Sequence, residues 1–230
     1  GSKFHGQSHF SLGGKEGGSS MMHDYLVAGL AEAFGVPGPR VSHAVVCIND
    51  IYRGVFTIQE EHDDQAFLDH HFPDGPDGNY YKVRYGSGLL FFTGSELDAY
   101  AAELDPVAGT DDVFLADTDL IQFLQFANFT EPTEFAEQAP SRMNVDAWLK
   151  LVAMEAVVPD FDGMFSGQRN YLLYNHPAFG WWPVRSDWDH GFDHAFLGDL
   201  ATTGLRVLDL PSPEIPDTPE WNRCDGRAPI

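Results

Sequence analysis

From residue 22 to residue 34 apolar side chains recur every four positions, at Met22, Leu26, Leu30 and Phe34. That spacing predicts an amphipathic helix burying this stripe, stopped by Gly35 with Pro37 and Pro39 beyond it. The period then shortens. Residues 41–59 read as a hairpin, with Val45, Val46 and Ile48 on one arm, a turn at Asn49-Asp50, and residues 52–58 on the other. A short helix is expected over residues 63–72. The Pro/Gly/Asp cluster of residues 73–78 ends it, and residues 79–83 resume as a strand.

After Lys82 the pattern is mostly helical. Thr118 is expected to cap a helix carrying Leu120, Phe123, Leu124 and Ala127. A longer helix over residues 145–158 holds Trp148, Leu151, Val152 and Glu155 in helical register and delivers the chain to Asp160 and Asp162. The stretch that follows organises the rest. It reads as an acidic loop, a strand over residues 170–175, a reversal at His176-Pro177-Ala178-Phe179-Gly180, a return strand over residues 181–185, and a second acidic loop.

In an antiparallel hairpin the two open ends lie side by side. Asn170 and Asp187 are therefore expected close together, with Asp162 and Asp189 nearby on their loops. Oxygen donors converging on one point suit a hard cation such as magnesium, which in turn holds phosphates.

The remaining stretches carry less. Residues 1–20 hold one short strand and a Gly/Ser-rich segment. It could cradle phosphates at Gly13-Gly14-Lys15, but it reads more simply as a flexible loop, and no Walker pattern is present. Residues 211–219 are proline-rich and are expected to wrap the surface. No repeat is evident. The order of elements gives an α+β chain forming one domain of 230 residues, with a strand-rich first part to about residue 85 and a mainly helical second part.

Composition narrows the partners. The chain carries 35 acidic against 13 basic residues, a net charge of −22, and its only lysines are Lys3, Lys15, Lys82 and Lys150. Such a field repels nucleic acid and anionic lipid and favours cations and basic partners. It also suits solubility in a salty or extracellular setting. No apolar run approaches a membrane span. The chain opens Gly1-Ser2-Lys3 without an initiator Met, which reads as a processed fragment. Cys47 and Cys224 allow one long-range disulfide or two reduced thiols. Asn128-Phe129-Thr130 is a glycosylation sequon. Lys82 stands out because it falls in an aromatic strand, where a half-buried ammonium needs an anionic partner or ligand unless it snorkels from an edge.

The motif series Gly54-Val55-Phe56-Thr57-Ile58-Gln59-Glu60-Glu61-His62-Asp63, Gly78-Asn79-Tyr80-Tyr81-Lys82, Asp160-Phe161-Asp162-Gly163, Asn170-Tyr171-Leu172-Leu173-Tyr174 and Ser186-Asp187-Trp188-Asp189-His190-Gly191-Phe192 resembles, in order, the motifs of the CotH family. These are the spore-coat-protein-H-like atypical protein kinases. The likeness extends over roughly residues 20–195, with a faint further match at His5-Gly6-Gln7-Ser8. Phe56 stands where the family has tyrosine, Ser186 where it has tryptophan and Gly191 where it has threonine.

The resemblance implies an atypical protein-kinase-like two-lobed fold with a reduced N-terminal lobe. It implies ATP with Mg²⁺ or Mn²⁺ and a Ser/Thr protein substrate, which the acidity of the chain suggests is basic or Ser-rich. With that acidity and the disulfide that Cys47 and Cys224 allow, it implies an extracytoplasmic location, secreted or at a cell surface or spore coat. It assigns Asp162 to orienting or deprotonating the attacking hydroxyl. Asn170, Asp187 and Asp189 would hold the metal, Lys82 would contact phosphates, and Glu60 would position Lys82 or a metal. Phosphoryl transfer needs positioning and charge neutralisation more than covalent help, and this set supplies both.

Other readings stand beside this one. A non-catalytic coat or adhesion module would use the same carboxylates for a structural cation such as Ca²⁺. A hydrolase would use a carboxylate pair as acid and base, but that leaves Lys82 and Asn170 without a role. His190 and His194 could bind zinc with Asp187 or Asp193, although no helix is evident there.

Overall fold

The computed structural model describes residues 7–13, 21–62, 64–84, 92, 94, 100, 104–108, 118–158, 160, 162–165 and 167–192. Its elements are β1 (Phe10–Gly13), α1 (His23–Phe34), β2 (Val41–Ile48), β3 (Ile51–Glu60), α2 (Gln65–His71), β4 (Asn79–Val83), β5 (Leu104–Ala108), α3 (Thr118–Phe129), α4 (Pro132–Arg142), α5 (Val145–Val157), β6 (Tyr171–His176) and β7 (Gly180–Arg185). Two antiparallel sheets result, one ordered β1-β3-β2 and the other β5-β4-β6-β7. The class is α+β.

Local chemistry accounts for most boundaries. Asn49 and Asp50 both take positive φ, 52° and 62°, as a two-residue hairpin turn of the mirror-image type demands. Asp64 caps α2 by accepting from the Ala66 amide, and Asn144 caps α5 by accepting from the Ala147 amide at 2.9 Å. Gly35 closes α1 in the left-handed conformation.

Two sequence expectations need correction. The stripe Met22, Leu26 and Phe34 is exposed by 41–52%, and α1 instead buries Val27, Ala28 and Ala31. Small residues let the helix backbone come close to its neighbours. The Val27 side chain sits where a Cβ on Gly191 would stand. The stretch after Lys82 also contains strand β5, which pairs with β4 at the sheet edge. Its sequence, Leu-Asp-Pro-Val-Ala, is too short and too polar to announce itself, and Pro106 is tolerated because the strand is an edge. Helix α4, starting with Pro132 in its first turn, is a further element that periodicity did not single out.

The four-stranded sheet is covered on both faces. Tyr81, Val83, Tyr171, Leu173 and Trp181 meet buried residues of α1, α3 and α5 on one face. Tyr80, Leu172, Tyr174 and Val184 meet Phe67, Leu68 and Phe72 on the other. β4, which precedes residue 85, is thus hydrogen-bonded into the same sheet as β5, β6 and β7.

The segment between α1 and β2 ties the two sheets together. The Arg185 amide donates to the Pro37 carbonyl at 3.0 Å, the Trp188 indole donates to the Pro39 carbonyl at 3.2 Å, and the Gln59 side chain donates to the Ser186 carbonyl at 3.0 Å. Gly38 is needed here because a Cβ would strike the buried Trp188 ring. The loop after β7 is therefore held against the three-stranded sheet.

Candidate cation site at the mouth of the hairpin

The β6–β7 hairpin is in register from Tyr171↔Arg185 to His176↔Gly180, so its open end brings residue 170 beside residue 186. The Ser186 amide donates to the Asn170 carbonyl at 3.0 Å. Asn170 itself has φ 55°, a left-handed conformation that asparagine tolerates better than most residues. This bend turns its side chain towards the preceding loop. Its Nδ2 donates to Asp162 Oδ2 at 2.6 Å, and Arg169 pairs with Asp162 Oδ1. Both oxygens of Asp162 are thus held.

The opposite wall is the loop after β7. Asp187 Oδ1 accepts from the amides of Trp188 at 2.8 Å and Asp189 at 3.4 Å, a local turn that sets where Asp189 points. Asp189 Oδ2 lies 3.5 Å from His190 Nε2. One donor atom each of Asp162, Asp189 and His190 falls within 4.8 Å of the others, and all three residues are half-buried. Asp24, in the first turn of α1, adds its charge to the same group.

The electrostatics reflect the crowding. Burial, with the negative charges of Asp187, Asp24 and Asp162, pushes the Asp189 carboxyl up to about 6, against the opposing pull of His190. Asp24 is raised by burial and by Asp187. Carboxylates this close repel one another unless a cation joins them. Oxygen donors with an under-compensated negative charge fit a divalent ion, and His190 would add a nitrogen donor.

Beneath this site lies a buried layer. Arg185, 1% exposed, donates to Asp160 Oδ2 at 2.6 Å and stands 3.7 Å from Glu155. Glu155 accepts from the amides of Met164 at 2.8 Å and Phe165 at 3.0 Å, holding the turn after Asp162. A Cβ on Gly163 would lie 2.7 Å from the Glu155 carboxylate, so the glycine permits that approach. Burial pushes Asp160 and Glu155 up, and Arg185 draws both down.

The other two expected site residues make no described contact with this cluster. Lys82 pairs across the sheet with Leu172 and shares its face with Tyr80, the face covered by α2. Glu60, at the end of β3, is buried and receives Arg40 Nη2 at 2.7 Å and Nε at 3.0 Å, with Gln7 also donating to it and His71 Nε2 at 3.9 Å. Among the described contacts none joins Lys82 to Glu60, or either to the carboxylates. The Gly/Ser stretch, His194, Asp193 and Cys224, on which the phosphate-cradle, zinc and disulfide readings fall, lie outside the described residues.

Sequence reading did not single out Asp24, Arg169 and Arg185, and it considered His190 only for zinc. Asp24 gave no signal, since an acid in the first turn of a helix is common. Arg185 did give one: a guanidinium ending an apolar strand must have buried partners.

No curated protein matches the chain. Residues 1–217 match the family described as CotH kinase protein, and the chain belongs to that CotH family.

Proposed function

We propose that the chain is an atypical protein kinase that transfers a phosphoryl group from ATP to Ser or Thr of a protein at a cell surface or coat, with Mg²⁺ or Mn²⁺ as cofactor. The observation that carries the reading is the convergence of Asp162, Asp189 and His190 at the mouth of the hairpin, beside Asn170 and Asp187. A divalent ion held by Asn170, Asp187 and Asp189 would neutralise phosphate charge. Asp162, fixed through both oxygens by Arg169 and Asn170, orients the attacking hydroxyl and takes its proton at a carboxylate oxygen.

The three-stranded sheet and its Arg40–Glu60 pair form the reduced N-terminal lobe of this reading, and the part after about residue 85, with β4 in its sheet, forms the second lobe. Lys82 supplies the phosphate contact and Glu60 a positioning carboxylate. A net charge of −22 favours a basic or Ser-rich substrate over an acidic one. The extracytoplasmic location rests on the family and the acidity. Among the described residues no helix is long and apolar enough to cross a membrane.

One observation favours a second reading. Glu60 is taken up by Arg40, and among the described contacts none joins it or Lys82 to the carboxylates, as suits a non-catalytic module in which the acidic cluster holds a structural cation such as Ca²⁺. Titration calorimetry of ATP with and without Mg²⁺ or Mn²⁺ separates the two. Metal-dependent ATP binding, lost in Asp187→Ala, supports the kinase. A folded protein that binds the metal but not ATP leaves the structural module.

A further inference from the structure

Four of the candidate ligands, Asp162, Asn170, Asp187 and Asp189, sit on two loops, and one side chain reaches both loops from below. Arg185 Nη1 donates to the Asn170 carbonyl at 3.1 Å, with the Arg169 carbonyl at 3.4 Å. Its Nη2 donates to the Asp187 carbonyl at 2.7 Å and to Asp160 Oδ2 at 2.6 Å. Asp160 Oδ1 in turn accepts from the Asp162 amide at 3.0 Å. The Asp189 amide meets Asp187 Oδ1. Asp162, Asn170, Asp187 and Asp189 are therefore each one or two hydrogen bonds from the same guanidinium.

We propose that Arg185 is the positioning residue of the cation site: its guanidinium grips the Asn170 and Asp187 carbonyls at once and so fixes the gap between the two ligand-bearing loops. This rests on the cation-site reading above. A planar guanidinium carries its donors on separate nitrogens and so reaches two carbonyls and a carboxylate at once, whereas an ammonium is a compact point charge whose three donors share one atom. Stability alone does not account for the arrangement. A buried arginine facing two buried carboxylates is a costly solution, and an apolar cluster of similar volume commonly folds at least as well. The Trp188 ring, 5.2 Å from the guanidinium carbon, closes the remaining side.

The test uses Mn²⁺ alone, without nucleotide, followed by electron paramagnetic resonance at pH 7.5 and with thermal melting in parallel. Arg185→Lys keeps a positive charge for Asp160 and Glu155 but cannot span both carbonyls. It is expected to fold and to bind Mn²⁺ about tenfold more weakly, or worse, as when an outer partner of a metal ligand is removed. A folded Arg185→Lys protein with wild-type affinity overturns the inference, because a purely structural role moves the melting temperature and not the affinity.

If Arg185→Lys does not fold, the triple variant Arg185→Met, Asp160→Asn, Glu155→Gln leaves no unpaired buried charge. The same loss of Mn²⁺ binding is expected of it, and retained binding overturns the inference. A wild-type protein that takes up no Mn²⁺ overturns the cation-site reading itself and this inference with it.

Discussion

A carboxylate crowded by others costs the fold energy that a solvated one does not. Asp189 holds its proton up to about pH 6 because burial and the charges of Asp187, Asp24 and Asp162 disfavour its ionised form. A raised carboxylate means that the folded state binds the proton more tightly than the unfolded one, so this group's contribution falls as pH rises from about 4 to about 6. Asp189→Asn should therefore raise the melting temperature of the metal-free protein at pH 7. It should also abolish the further rise that Mn²⁺ gives the wild type, which differential scanning fluorimetry reads directly. His71 has the opposite sign. Burial lowers it from 6.5 to about 4, against the pull of Glu60. The unfolded chain then takes up the proton first, so stability is complete above about pH 6.5 and is lost as pH falls towards 4. The full span is worth about 3 kcal/mol. His71→Phe keeps the ring contact with Phe67, and its melting temperature should fall less steeply between pH 7 and pH 4.5 than that of the wild type.

The hairpin is the element that makes the site. Its turn depends on Gly180, whose φ is 69° and whose added Cβ would overlap the Arg142 carbonyl at the end of α4. Gly180→Ala combines a disfavoured backbone with a collision against main chain. It should lower stability by about 3 kcal/mol, seen as a shifted urea midpoint. The hairpin was legible because its strands are short, rich in aromatic and leucine residues, and separated by Pro and Gly. The β2–β3 pair was legible for similar reasons at Asn49-Asp50. Strand β5 was not, since five residues containing Asp and Pro carry no period of their own and pair only because β4 offers an edge. The buried face of α1 was misread because periodicity marks large apolar residues. Packing against Gly191 and its loop selects Val27, Ala28 and Ala31 instead.

At the scale of the whole molecule, a net charge of −22 makes long-range self-repulsion a term that every element feels. Raising NaCl from 20 to 300 mM, with no divalent ion present, should raise the melting temperature. Screening shortens the reach of repulsion to about 10 Å or less. A melting temperature that stays flat or falls would show that local pairs such as Arg40–Glu60 outweigh the global charge. Sequence determined the class of the chain, its family motifs, its two hairpins and the placing of four oxygen-bearing side chains at one hairpin mouth. Each of these follows from local periodicity or from the geometry of an antiparallel turn. Only the tertiary structure decided what stands across from them. Asp24 reaches the site because α1 packs on the loop after β7. Glu60 meets Arg40 because residues 37–40 cross between the sheets, and Lys82 faces α2 because of the register of β4 on β6. Arg185 lies under both ligand loops because its buried charge must be met by Asp160, Glu155 and main-chain carbonyls. Contacts between residues far apart in sequence depend on how elements pack, and no local pattern in the chain encodes that packing.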